Sequence, residues 1–409
     1  MKIKIYYILF TFLLLQNCSS IQHNRVSQTA PNIPGVSYSG IYITNTGIKA
    51  FDQITNRDSL LGDVDGSFFV KALSPNRDKL ALAYRTTDSL KVSLITFNPL
   101  RLIPISTSNK DNHVILTWKD DNLTLFFNFW NFEKVGERTY PKNVSAHFFD
   151  TELMRLHKLI YPMNSAIIKD WIPIGYLVVN YRGTYYLIDI ESEKIAFTLG
   201  NYKNITFSPD GRYFFYYKDE PTADRFGRII NVPELYLSEF NGTNSKKIVP
   251  YNYEPRNAVW SPDGSIIVFD TKSQKRSDIR HLTIFNVDRH SPFFQIESNR
   301  ARTQPHFSPS GGKLFYYEQD VMQLSIQHMD IDAKVMDIYS QREMIVNSGS
   351  STIPGHPVGG FIGWYDDENL GLSATGWLII FNTKNRTKTP FPYSGWPLHI
   401  WESQTKDLE

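Results

Sequence analysis

The chain has 409 residues, 41% of them hydrophobic and 14% aromatic, which is enough apolar side chain for the core of one large domain. Its formal net charge is +2, and without residues 1–17, which hold two lysines and no acids, 41 basic residues face 41 acidic ones. That balance excludes nucleic acid or a polybasic membrane surface as the main partner, and a single cysteine excludes an internal disulfide.

At the N-terminus Lys2 and Lys4 precede an eleven-residue apolar run, Ile5 to Leu15, which has the layout of a secretory signal peptide and is too short to span a bilayer. The lone cysteine, Cys18, follows in Leu15-Gln16-Asn17-Cys18-Ser19-Ser20. This arrangement resembles a bacterial lipobox, although Gln16 and Asn17 stand where small residues are usual. The resemblance implies removal of residues 1–17, diacylation of Cys18 and attachment at the cell envelope, with the outer membrane as the expected site; two acyl chains hold stably where one does not. The other reading is an ordinary cleaved signal with an incidental cysteine. Residues 18–35 then form the lipidated N-terminus and a tether rich in Ser, Gln, Asn and Pro.

From residue 73 onward one phrase recurs: Leu73-Ser74-Pro75-Asn76, Phe207-Ser208-Pro209-Asp210-Gly211, Trp260-Ser261-Pro262-Asp263-Gly264 and Phe307-Ser308-Pro309-Ser310-Gly311. Ser-Pro-Asp-Gly suits a type I turn, with Ser as side-chain acceptor, Pro preset in φ and Gly at the fourth position. An apolar run follows each copy, so each reads as a β-hairpin. The interval is 53 residues from Ser208 to Ser261 and 47 from Ser261 to Ser308. Degenerate copies begin at Trp118, Trp171 and Trp364. Seven anchors, each opening about four short strands, predict an all-β, single β-propeller of four-stranded blades across residues 36–402, followed by a polar tail, 403–409. Seven blades is the expected count. Six follows if one anchor is false, and eight if Ile41 to Thr44 and Ile48 to Phe51 pair with a strand near Pro397 to Trp401. The hairpin phrase resembles the PD40, or TolB-like, propeller repeat, most closely at 207–217, 260–270 and 307–317. That family implies a fold and not an activity.

Blade topology places the short Ser-Pro turns on one face of the disc. The long connections, 129–143, 218–233, 271–279 and the crossover at 341–359, fall on the other, where insertions in a repeat protein gather its binding residues. Arg225, Phe226 and Arg228 in one loop, with Lys272, Lys275, Arg276 and Arg280 in the next, are candidates for gripping a carboxylate; the plain alternative is a solvated loop with local ion pairs. No Gly-x-Ser-x-Gly elbow occurs. Asp63-Val64-Asp65-Gly66 lacks the closing Glu of a calcium loop, having Ser74 at its twelfth position. The expected function is a non-catalytic envelope scaffold that binds a protein or glycan, with no cofactor. The alternative is a propeller enzyme acting on an acidic carbohydrate, with a metal held in the funnel by His281, His306 and His356. Mass spectrometry of the native N-terminus tests the anchor: a diacylated Cys18 is expected, and an unmodified thiol or cleavage elsewhere removes it.

Overall fold

The computed structural model describes residues 38–402 apart from 45–46, 53–56, 64–68, 98, 120, 160–165, 224–226, 250–253, 274–278, 321–328, 352–359, 375–376 and 393–395. Cys18, the tether, the tail and the centre of the Asp63 segment lie outside that set. Among the described residues there is no helix, and 32 strands form eight four-stranded sheets, the blades of a β-propeller.

From the innermost strand outward, blade 2 comprises Phe69–Leu73, Lys79–Arg85, Ser89–Phe97 and Leu100–Asn109. Blade 3 comprises His113–Trp118, Thr124–Val135, Arg138–Asp150 and Arg155–Lys158, and blade 4 comprises Ile167–Ile172, Tyr176–Tyr181, Thr184–Asp189 and Lys194–Asn201. Blade 5 has Lys203–Phe207, Tyr213–Ala223, Ile229–Glu239 and Lys246–Lys247, and blade 6 has Arg256–Trp260, Ile266–Lys272, Arg280–Asn286 and Ser291–Ile296. Blade 7 has Ala301–Phe307, Lys313–Gln319, Met329–Asp337 and Glu343–Ser351, and blade 8 has Gly360–Trp364, Asn369–Ala374, Trp377–Asn382 and Thr387–Pro392. Blade 1 is assembled from both ends of the chain: Trp396–Glu402 pairs with Tyr38–Thr44, which continues to Gly47–Asp52 and Arg57–Gly62.

The count is therefore eight rather than the expected seven, by the alternative in which both ends of the chain share a blade. All seven anchors open a blade, and the eighth blade has no anchor because its first two strands are separated by nearly the whole sequence. Ile41 faces His399 and Gly40 faces Ile400 across that junction.

The recurring phrase folds as its chemistry requires. Gly211, Gly264 and Gly311 each donate an amide to Ser208, Ser261 and Ser308 carbonyls at 2.9 Å. These glycines have φ of 71°, 73° and 80°, the left-handed region that a side chain strains. The serine hydroxyls, buried to 2% exposure or less, accept the amides of Tyr213, Ile266 and Lys313 at 3.0, 2.9 and 3.2 Å. Each blade then buries a sheet face against the next. Ile41, Ile43 and Leu80 join blades 1 and 2; Leu94, Val114 and Phe127 join blades 2 and 3; Phe315, Val335 and Leu370 join blades 7 and 8.

The degenerate first copy has Arg77 where the others have Gly, at φ 62°. Its guanidinium donates to the backbone oxygens of Tyr365 and Trp364 at 2.6 and 2.7 Å, which ties the turn of blade 2 to that of blade 8. Blade 1 offers no turn there, only the strand ends Tyr38 and Glu402. Arg77→Gly restores the repeat consensus and relieves the left-handed strain, yet it is expected to destabilise the protein by about 1–3 kcal/mol through the lost charge-assisted bonds. Urea unfolding against the exposed control Arg289→Met measures it; a gain in stability would show that strain outweighs closure.

Candidate binding face

The turns between the first and second strands line one face of the disc, and they pack on one another. Asn76 N–H donates to Asn122 Oδ1 at 3.0 Å, and Ser310 N–H to Asp367 Oδ1 at 2.8 Å. The connections between second and third strands lie on the opposite face. Two of them, at 129–143 and 218–233, were expected to be loops and are strand ribbons instead. In blade 3 pairing continues to Val135 opposite Arg138, and in blade 5 to Ala223 opposite Ile229. Alternating residues along both arms keep the backbone ladder going beyond the disc. Between them blade 4 turns tightly, Tyr181 opposite Thr184, with Arg182 and Gly183 at φ 51° and 93°. Two ribbons thus flank one short blade.

The blade 3 ribbon carries an aromatic cluster. His113 stacks on Trp130 at 4.5 Å, and Phe132 meets Trp130 edge-on at 5.1 Å and His113 at 5.5 Å. Phe132 is 57% exposed. The Trp130 Nε1 is buried with no hydrogen-bond partner among the described residues. Burial, assisted by the Arg85 charge, holds the His113 imidazole below its usual range. The blade 5 ribbon presents Ile229, 71% exposed, near its tip, and its flank is set by Lys218 on Glu220 at 2.7 Å and Tyr236 Oη donating to Glu220 at 3.0 Å.

A cavity of about 550 Å3 opens between the inner strands of blades 5 and 6, lined by Lys203, Asn204, Thr206, Asp219, Arg256 and Asn257 among others. Asn204 and Asn257 stand at equivalent places, each in a β-bulge and each left-handed at φ 48° and 51°. The bulge comes three residues before the anchors Phe207 and Trp260, a spacing visible in the sequence as a repeated Asn.

Of the residues singled out in the sequence, Arg225, Phe226, Lys275, Arg276 and His356 lie outside the described residues. Arg228 is exposed just before the outer arm of the blade 5 ribbon. Lys272 and Arg280 are held in ion pairs: Lys272 reaches Glu254 at 2.7 Å, and Arg280 grips the buried Asp270 carboxylate and the Glu254 carbonyl, the latter at 2.6 Å. His281, on the third strand of blade 6, accepts the Ser298 amide at 3.4 Å. His306, on the inner strand of blade 7, stacks on Phe361 of blade 8 at 4.5 Å. Among the described residues no three His, Cys, Asp or Glu side chains converge on a point that would hold a metal. The densest charge group lies in blade 7, where buried Glu318 receives Arg302 at 2.8 Å and also pairs with Arg300 and Lys334.

No protein-family model matches the chain, and no curated protein matches it by sequence. Solved structures do. A dihydro-heme d1 dehydrogenase, NirN, in complex with DHE superposes with a TM-score of 0.55 at 13% identity, covering 92% of this chain and 77% of that one. Porphyromonas gingivalis dipeptidyl peptidase 4 gives 0.51 at 12% identity, covering 77% of this chain and 49% of the peptidase. A TolB from Agrobacterium tumefaciens covers 91% of this chain and 100% of its own at 14% identity, with a TM-score of 0.38. The first two share a propeller fold with this chain, and the activities in their names belong to those proteins.

Burial holds the His306 imidazole down at about 4, against roughly 6.5 in an unfolded chain. The unfolded state therefore binds the extra proton between those values. The stabilisation, on the order of 3 kcal/mol, is complete above pH 6.5 and lost as pH falls towards 4. His306→Phe keeps the stack on Phe361 and is expected to flatten the fall in Tm between pH 6.5 and 4.5. Parallel Tm profiles for wild type and variant would place the imidazole in water.

Proposed function

We propose that this protein is a non-catalytic binding scaffold, lipid-anchored in the cell envelope through Cys18, that docks a protein or glycan partner on the face bearing the ribbons. The observation that carries the reading is the pair of ribbons on either side of blade 4, one of them presenting Phe132 to solvent against the half-buried rings of His113 and Trp130. An exposed aromatic beside a buried, unpartnered indole N–H is the composition of an interaction hot spot, where a partner supplies both apolar cover and an acceptor. Arg228, exposed just before the outer arm of the second ribbon, belongs to the same face. The export signal read from residues 1–18 supports the envelope as the place of work.

A photo-crosslinking residue at Phe132 or Ile229, in cells, is expected to capture the same partner, while one at Ser310 on the turn face captures none. Equal capture at Ser310 would remove the assignment of the face. Phe132→Ser is expected to weaken capture at least tenfold, the effect of losing a hot-spot aromatic, with the thermal midpoint unchanged.

A further inference from the structure

We infer that the cavity between blades 5 and 6 is a binding site for a small hydroxylated carboxylate, a sugar acid in size and chemistry. Asp219 and Pro233, at the root of the blade 5 ribbon, line it, but none of the ribbon aromatics does, so a small ligand here is separable from a partner docked on Phe132.

The mature chain is balanced overall, yet this cavity has two cations, Lys203 and Arg256, beside one lining anion, Asp219. Their side chains are 64% and 60% exposed. Lys203 is already paired with Asp219, which neutralises both and leaves the carboxylate oxygens as acceptors for hydroxyl groups. Arg256 touches Glu254 at only 3.8 Å, too far for a hydrogen bond, so its planar donor fork is available to a ligand carboxylate. The net positive charge at the wall thus resides on the one group shaped for bidentate carboxylate recognition.

The backbone points the same way. Bulges in two neighbouring inner strands put Asn204 and Asn257 on the cavity wall in left-handed conformations. Such a bulge leaves one residue outside the ladder and re-aims its side chain; it recurs in blade 7 with Gln304 at φ 55°, so the bulge belongs to the repeat, and what is particular to this cavity is an Asn at both positions. Asn257 donates its amide nitrogen to Asp270 at 2.6 Å, which fixes the side chain and leaves its oxygen as an acceptor. The Asn204 amide and the Thr206 hydroxyl complete a wall of donors and acceptors suited to vicinal hydroxyls. The apolar part of the wall is small, Pro233, Pro255 and Ala258, with the rings of Phe215 and Tyr217 behind it at 1% and 9% exposure. A cavity of about 550 Å3 falls within the range for small-ligand sites. An apolar ligand finds little cover here; a sugar acid finds a partner for each type of group it carries.

Titration calorimetry on the full chain, with D-glucuronate, D-glucose and inorganic phosphate as probes, tests the assignment. Saturable binding of glucuronate is expected, at least tenfold tighter than either glucose or phosphate, and at least tenfold weaker in Arg256→Gln. Asn204→Gly keeps the left-handed backbone without strain and removes only the amide, so it is expected to weaken glucuronate without lowering Tm. Absence of glucuronate binding overturns the proposal. So does equal binding of phosphate, which would mark a bare anion site, and so does affinity unchanged in Arg256→Gln.

Discussion

Six of the eight blades, 3 to 8, depend on one contact, the anchor aromatic of the inner strand pressed against the preceding blade; blade 2 has Leu73 in that place. Trp260 stacks on Phe215 of blade 5 at 5.6 Å, and Trp171 on Phe126 of blade 3 at 5.3 Å. The indole adds a directed bond to the burial. Trp118 Nε1 donates to the Ala72 carbonyl at 2.9 Å, Trp260 to Thr206 at 3.1 Å and Trp364 to His306 at 3.3 Å. In each case the acceptor is the residue just before the previous blade's own anchor. Apolar area alone holds two sheets face to face without fixing how far one slides along the other, because dispersion and burial are non-directional. A ring N–H aimed at one carbonyl sets that register at these three junctions; the Nε1 of Trp171 is buried without a hydrogen-bond partner among the described residues, and there the stack on Phe126 acts alone.

A second bond of the same kind runs through the tyrosines. Tyr217 accepts the Ala258 amide at 3.0 Å, and Tyr317 accepts the Phe361 amide at 2.8 Å. Inner-strand amides that the bulges release from the ladder are thereby satisfied by a side chain of the neighbouring blade. The bulge that re-aims Asn257 into a cavity and the tyrosine that receives Ala258 are two sides of one device. Local disorder of the ladder at the inner rim is tolerated because a neighbour makes the missing bonds.

The two faces of the disc differ for a related reason. On the turn face each Ser-Pro hairpin is packed on the next, down to the side-chain and backbone contacts of Asn122 and Asp367. There is no room there for a longer connection. On the other face the second-to-third-strand ladders of blades 3 and 5 extend, and among the described residues Phe132 and Ile229 stand exposed on them. A repeat protein varies where its repeats do not touch. Lys272 and Arg280 illustrate the limit of reading such a face from charge: both looked available in the sequence, and both are occupied by Glu254 and Asp270.

By itself the sequence determined what is local. A Ser whose hydroxyl caps its own hairpin, a Pro preset in φ and a Gly that accepts a left-handed turn are decided within five residues, which is why the three complete copies, at Phe207, Trp260 and Phe307, were legible, and their spacing pointed to the four degenerate ones. The long connections were also legible as a face, since topology alone assigns them to one side. Only the tertiary structure decided the rest. The eighth blade joins residues 38–44 to 396–402, a pairing the sequence offered as one alternative and only the closed ring selects. Arg77 reads as a spoiled Gly until Trp364 and Tyr365, nearly three hundred residues away, supply the oxygens it holds. The 550 Å3 cavity needs two separate bulges brought side by side. Hairpin chemistry acts over one turn of chain, whereas ring closure and cavity walls are made by residues that meet only after the blades have packed.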